Sequence, residues 1–295
     1  MGYVYLLVAL LAGATKGYCG KKTSSYTPRF KDAVFANGIR MVVCVLIGFI
    51  ILAVSGNLSA LAFSPQALLI AALSGVSSAV FVVLWLVSVK KSAYMMVDIF
   101  LLMGTFIPLI CSNVFFGEAV TLTQWIGLLV LFAAVCLMCS YNNAIKEKLT
   151  FSAFALLLLC GAASGVADFS QKLFVKQIEG GNAAAFNLYT YVFAAAVLAI
   201  ALALLPKAGE PMAQSARKKI FVYIPIMAVC LFLNSFFKTL AAQYLDAVLL
   251  YPLNQGAALI LSTLMAVALF KEKLTVKAVV GILLAFVGLL IINLL

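Results

Sequence analysis

One segment of this chain occurs twice. Residues 116–132, FGEAVTLTQWIGLLVLF, align without a gap on residues 270–286, FKEKLTVKAVVGILLAF. At a constant offset Phe116, Glu118, Thr121, Gly127, Leu129 and Phe132 recur as Phe270, Glu272, Thr275, Gly281, Leu283 and Phe286. A repeat on this scale makes the chain two copies of one unit and not a single long domain. Weaker echoes extend it: AGATKGYCGKK around Gly13 and Gly17 resembles GAASGVADFSQK around Gly161 and Gly165, and Asn37 and Asn187 fall at similar places in the two halves.

Composition decides which solvent the unit folds in. With 66% apolar residues, 10% charged residues and a mean hydropathy of +1.18 over 295 residues, the chain is far more apolar than a soluble domain, which carries roughly 25% charge. Ten apolar runs are long enough to cross about 30 Å of hydrocarbon at about 1.5 Å per residue. Their approximate limits are 2–19, 32–54, 65–88, 92–116, 122–140, 151–174, 183–205, 220–243, 247–270 and 275–295. The runs are continuous, which excludes alternating membrane strands. The first has no basic leader or cleavage site and reads as a retained helix, not a signal peptide.

Five spans per half is an odd number, so the second copy enters the bilayer from the opposite side. The expected fold is an all-α integral membrane protein of ten transmembrane helices in two inverted five-helix repeats. The first repeat covers 1–141 and the second 150–295, with the polar linker 142–149 between them. Glu118 and Glu272 then lie in short loops on opposite faces and mark helix ends.

A net charge of +11 would suggest nucleic acid in a soluble protein, but here the basic residues sit in the breaks between spans, as in membrane loops. Lys21, Lys22, Arg29 and Lys31 follow span one, Lys90 and Lys91 span three, and Lys146 and Lys148 span five. Lys207, Arg217, Lys218 and Lys219 follow span seven, and Lys271, Lys273 and Lys277 span nine; the other face offers Lys176, with Lys172 at its margin. The positive-inside rule puts the odd loops in the cytoplasm and both termini outside.

Charges inside spans carry the functional reading, because each costs roughly 2.5–3.5 kcal/mol at the bilayer centre on insertion scales and is placed toward a cavity or partner. Lys16, Arg40 and Asp98 lie toward the odd-loop side, and Asp168, Lys172 and Lys238 toward the other. Two polar layers follow: Lys16 or Arg40 meeting Asp98, and Asp168 meeting Lys172 or Lys238, as ion pairs that close alternate sides of a cavity. The competing reading is that these side chains snorkel to the nearer interface. Between the layers Trp85, Asn187, Asn234, Tyr251, Asn254 and Gln255, with Asn37 and Tyr189, can recognise a polar solute without the desolvation cost of a permanent charge. Asn254 and Gln255 follow Pro252, whose missing N–H can leave a carbonyl open. Interhelical hydrogen bonding competes for each amide. With Arg40 and Lys238, these residues form the candidate substrate site; Lys16, Asp98, Asp168 and Lys172 are the candidate gates or coupling groups.

The ten spans in two halves, each fourth span ending in an acidic residue ahead of a Thr and a Gly (Glu118, Thr121, Gly127; Glu272, Thr275, Gly281), resemble the drug/metabolite transporter superfamily, particularly its EamA-type permeases. The resemblance covers nearly the whole chain. It implies a ten-helix secondary transporter with cytoplasmic termini, opposite to the orientation the charges indicate. The superfamily's substrates range over amino acids, other metabolites, sugar phosphates and nucleotide sugars. Pro108 and Pro252 depart from the spacing common in those permeases, and Lys16 stands where an aromatic commonly precedes the Gly of span one.

Four intramembrane cations against two carboxylates favour an anionic or zwitterionic metabolite, moved by alternating access. The alternative is a proton-coupled multidrug or organic-cation exporter. Its small multidrug form would need a carboxylate three residues before a Gly of the first span, where this chain has Ala14 and Ala162; Asp98 or Asp168 would have to carry the proton. A remoter alternative is a membrane scaffold that transports nothing. The absence of His removes imidazole catalysis and His-ligated metal. Cys136 and Cys139 form a CxxC on a continuous apolar helix, without the second pair that a zinc site needs. No phosphate-binding loop is present. The expectation is therefore no enzyme, no cofactor, no metal and no nucleic acid. The expected partners are a small-molecule metabolite and the bilayer of the inner or plasma membrane. Gly281 and Gly288, two turns apart in span ten, leave a homodimer open.

Overall fold

The computed structural model describes residues 1–91, 94–139, 151–206, 214–270 and 276–294, and every long element among them is a helix. In order these are α1 (Gly2–Ser24), α2 (Phe30–Val54), a short 3₁₀ turn (Leu58–Leu61), α3 (Pro65–Lys91), α4 (Tyr94–Gly104), α5 (Phe106–Phe116), α6 (Leu122–Cys139), α7 (Phe151–Gln177), α8 (Ala183–Leu204), α9 (Gln214–Ala241), α10 (Ala247–Phe270) and α11 (Val276–Leu294). Seven are each long and apolar enough to cross a bilayer, and the shorter apolar stretches Phe100–Phe116, Leu122–Ala134 and Val279–Ile292 supply the other spans. The linker 142–149, and Glu272 with its flanking Lys271 and Lys273, lie outside the described residues.

Span four is broken into α4 and α5. Pro108 has no N–H to give to the carbonyl of Gly104, and its ring crowds that carbonyl; Thr105 closes the turn instead, its N–H and hydroxyl both donating to the Leu102 carbonyl at 3.1 and 2.7 Å. The helix expected to open at Pro252 stays helical: α10 runs unbroken through it. α5 stops at Gly117, whose φ of +66° is the left-handed conformation that only glycine adopts without strain. The Gly117 and Glu118 N–H groups turn back onto the carbonyls of Asn113 and Ser112, an αL closure that aims Glu118 into the bundle. α8 begins where the Asn182 side chain accepts from the N–H groups of Ala184 and Ala185.

The helix contacts obey a pseudo-two-fold axis. Taking α1, α2, α3, α4–α5 and α6 as counterparts of α7, α8, α9, α10 and α11, the packing of α1 on α9 becomes that of α7 on α3. Likewise α2 on α9 becomes α8 on α3, and α4 on α7 becomes α10 on α1. The pairs α2–α8, α4–α10 and α6–α11 bring each helix against its own counterpart across the axis. These are inverted repeats. Asn37 and Asn187 obey the same symmetry: each donates to the carbonyl four residues back, at 2.9 and 2.8 Å, and onward to the third helix of its own half, at the Val82 carbonyl and the Thr239 hydroxyl.

Small residues set how closely the halves meet. A Cβ on Gly104 would lie 2.2 Å from the Gly161 carbonyl oxygen, and one on Gly165 would lie 2.2 Å from that of Gly104, so α4 and α7 touch backbone to backbone. Lipid gives no hydrophobic drive to helix pairing, so close packing of this kind has to hold the helices together. Gly288 serves the same purpose inside the chain, since its Cβ would lie 3.0 Å from the Gly127 carbonyl of α6; this glycine is committed to the α6–α11 seam and not to a second protomer. Large apolar side chains such as Leu11, Leu46, Ile50 and Leu129 remain exposed around the outside, where acyl chains replace water.

Glu118 ties three elements on the face carrying the N-terminus. Its Oε1 lies 2.9 Å from Lys172 Nζ and 3.0 Å from Lys176 Nζ on α7, and its Oε2 accepts from the Ala247 N–H at the start of α10 at 2.8 Å. Lys172 also donates to the carbonyls of Leu245 and Ala242 at 2.7 and 3.4 Å. Two expectations are corrected here. Glu118 is a buried structural anion and not merely a helix-end marker, and Lys172 is taken by it, leaving none for Asp168. Burial pushes the Glu118 carboxyl up, but the Ala247 N–H together with Lys172 and Lys176 outweighs burial and holds it below the ordinary glutamate range.

Replacing Gly165 by Val forces α4 and α7 apart and is expected to cost roughly 1–3 kcal/mol, lowering the thermal unfolding midpoint of the detergent-purified protein. Gly38→Ala, whose added Cβ would meet Leu198 at an ordinary 4.0 Å, should leave the midpoint in place. The Glu118 tie contributes fully above the ordinary glutamate range and is lost as pH falls through its lowered value. Wild-type stability should therefore fall as pH drops below the ordinary glutamate range. Glu118→Gln should start roughly 2 kcal/mol lower at neutral pH and show a flatter acid limb in the same melts.

Candidate functional site

Where the two halves meet at mid-bundle they leave a cavity with about 100 Å³ open to water-sized molecules, room for several waters or a small solute. α1, α3, α4, α7, α9 and α10 supply most of its wall, with Met41 and Tyr191 reaching in from α2 and α8. The charged residues on that wall are Lys16, Asp98, Asp168 and Lys238. The two expected layers thus share one chamber.

One of the expected ion pairs is formed. Lys238 Nζ donates to Asp168 Oδ1 in a buried pair linking α9 to α7. The Tyr251 hydroxyl donates to the Asp168 backbone carbonyl at 2.7 Å and so fixes this turn of α7 against α10. Tyr251 is fully buried behind the wall, where it supports Asp168 and does not line the chamber. The other expected pair is not formed. Neither Lys16 nor Arg40 makes an ion pair with Asp98, and the Asp98 carboxylate shares its stretch of wall with Ser262 of α10. Arg40, 3% exposed, stands outside the main chamber in a small side recess.

The amides divide between wall and support. Asn234, Asn254 and Gln255 line the chamber with Trp85. Asn234 donates to the Ala9 carbonyl of α1 at 2.7 Å, over Gly13, which leaves room for it. The Asn254 Oδ1 is buried with no hydrogen-bond partner among the described residues, an acceptor without a donor. Trp85 fits because its ring lies over Gly20, where a Cβ would come within 2.4 Å of it. Asn187 stands one step back: its Oδ1 accepts from the Ser235 hydroxyl, which in turn accepts from Gln171 Nε2 at 2.9 Å. Lys172 is absent from the wall, held by Glu118.

Gln171, Ser235 and Ser262 line the chamber without having been picked out from the sequence. Helical spacing identifies two of them. Gln171 lies three residues beyond Asp168, and Ser235 three before Lys238, so each shares a face with a charged residue already singled out. Ser262 gives no comparable signal, since the fourth span of one repeat and the fourth of the other meet only across the axis.

Among the described residues no group of His, Cys, Asp and Glu could hold a metal ion. What the chamber offers is recognition: a cation and a carboxylate each without an ionic partner among the described residues, one closed ion pair, and amide donors and acceptors.

Comparison with known proteins agrees with this architecture. A solved crystal structure of a protein 15% identical in sequence aligns over 97% of this chain and 96% of its own with a TM-score of 0.71, a likeness of fold. Among curated proteins no match to the chain is found. The model of the EamA-like transporter family matches residues 1–140 and again residues 150–294. With both halves matched and both folded as inverted five-span repeats, the chain belongs to the EamA-like transporter family and is a multi-pass membrane transporter of the drug/metabolite type.

Proposed function

We propose that this transporter moves a small zwitterionic metabolite across the inner or plasma membrane by alternating access, its solute held between an N-terminal repeat, residues 1–141, and a C-terminal repeat, residues 150–295. The observation that carries this reading is the coexistence of Lys16 and Asp98, neither ion-paired among the described residues, on the wall of one central chamber. A zwitterion can satisfy both, its carboxylate at Lys16 and its ammonium at Asp98, while Asn234, Asn254 and Gln255 address its polar body. A simple anion would leave Asp98 unanswered. An organic cation would leave Lys16 unanswered, and an unpaired buried charge is expensive.

Alternating access needs closures that open in turn. Toward the face with the N-terminus the Asp168–Lys238 pair and the Glu118 tie bind α7 to α9 and α10. Toward the opposite face Lys16 and Asp98 stay apart. This is the asymmetry of a chamber shut on one side and receptive from the other, with solute in place of the missing ion pair. The charge bias orients it: Lys172 and Lys176 are neutralised by Glu118, which leaves the odd-loop face still more clearly the basic one and so the cytoplasmic one.

Purified protein in proteoliposomes should exchange labelled neutral amino acids or similar zwitterions against an internal pool. Lys16→Gln and Asp98→Asn should each reduce that exchange about tenfold or more, the effect of losing one charge-assisted contact. Exchange of organic cations that survives Lys16→Gln and dies in Asp98→Asn would replace the zwitterion reading with the exporter one. A reporter fused after Leu295 should be active only if it folds outside the cytoplasm; activity confined to cytoplasmic reporters would reverse the orientation.

A further inference from the structure

A side recess branches from the central chamber and ends at Arg40. It is lined by Lys16, Arg40, Phe81, Val82, Trp85 and Leu231, and all of these except Arg40 also line the chamber. The space open to water-sized molecules is about 10 Å³, the room of about one water molecule. Two cations face it and no Asp or Glu does.

Arg40 is only 3% exposed, its Nε has no hydrogen-bond partner, and no carboxylate pairs with it among the described residues. Two groups that act electrostatically on it, Cys44 and Tyr191, give their protons to the carbonyls of Ala228 and Leu231 at 3.4 and 3.3 Å, so neither offers it an anion. A guanidinium keeps its charge inside a protein. Buried without a counter-charge it is strongly unfavourable, and a bound anion removes that penalty. The second repeat carries Thr190 at the place corresponding to Arg40, so the arrangement is peculiar to the first half and is not a structural feature of the repeat.

We propose that this recess is a carboxylate subsite, in which Arg40 and Lys16 together receive the carboxylate of the transported solute. The planar fork of a guanidinium matches a carboxylate in two parallel hydrogen bonds, and the apolar walls of Phe81, Val82 and Leu231 strengthen the attraction by excluding water. The proposal rests on the zwitterion reading and adds to it the anchoring end of the solute: with its carboxylate in the recess, the remainder of the molecule points into the chamber toward Asp98.

Trp85 borders the recess and reports on it. The chain has two tryptophans, and Trp125→Phe, on the lipid-facing side of α6, leaves Trp85 as the single indole. Titrating this full-length protein in detergent with sodium acetate, at constant ionic strength balanced by methanesulfonate, should give a saturable change in emission that glycine also produces. Arg40→Gln should weaken the apparent affinity by at least about tenfold, and Arg40→Lys severalfold. No saturable response, or an unchanged one in Arg40→Gln, overturns the subsite. If Arg40→Gln elutes as aggregate, Arg40→Lys decides alone, an unaltered affinity overturning the proposal. A parallel bromide titration that saturates but is not displaced by acetate assigns the recess to halide and also overturns it. The same preparation is reconstituted for exchange: zwitterion exchange without an acetate site removes the subsite and leaves the transport reading intact, whereas acetate binding without any zwitterion exchange removes that reading instead.

Discussion

The structure turns on the ion pair between Asp168 and Lys238. In a bilayer two lone charges of opposite sign would each be intolerable, and together they become an interhelical tie. The pair joins α7 of the second repeat to α9 of the same repeat at the edge of the chamber. Tyr251 on α10 bonds the Asp168 backbone carbonyl, and the Gln171–Ser235–Asn187 chain links α7 and α9 to α8. Four helices are thus bound into one unit around a polar wall, and the first repeat closes on that unit through α1, α3 and α4.

At α4 and α7 that closure is made backbone to backbone. α4 can lie directly on α7 only because Gly104, Gly161 and Gly165 carry no Cβ. This close approach brings Asp98, less than two turns before Gly104, into the same chamber as Asp168. The break at Thr105 belongs to the same arrangement: the kink before Pro108 lets α5 leave the line of α4 and end at Gly117, from which Glu118 reaches back to α7 and α10. One span therefore places a carboxylate at the site with its first half and a tie at the membrane face with its second.

Much of this was legible in the sequence because hydrophobic length and repetition are coarse, local signals. All ten spans were located to within several residues, and the inverted symmetry followed from their odd number per half. Of the residues singled out for the site, Lys16, Asp98, Asp168, Lys238, Trp85, Asn234, Asn254 and Gln255 do line one chamber. The failures share a physical cause, which is that pairing depends on contacts between helices distant in the chain. Span depth alone could not separate Lys172, drawn off by Glu118, from Lys238, which keeps Asp168. Nor could it show that Asn187 and Tyr251 brace the wall from behind, or that Pro108 and not Pro252 interrupts its helix.

The residues at which the two repeats differ account for the site's chemistry. A strictly duplicated unit would give each charge a symmetry mate, and the chamber would be lined by equal sets facing one another. Here Lys16 faces the role of Ser164, Arg40 that of Thr190 and Asp98 that of Pro252, so the first repeat supplies two cations and a carboxylate where the second supplies none. The second repeat's own charges, Asp168 and Lys238, are spent on each other. In the proposed mechanism symmetry provides a scaffold that can rock about its axis, whereas recognition of the proposed zwitterion requires that the symmetry be broken, because a solute with a positive and a negative end is not itself two-fold symmetric. A chamber whose closed ion pair comes from one half and whose open charges come from the other meets both requirements.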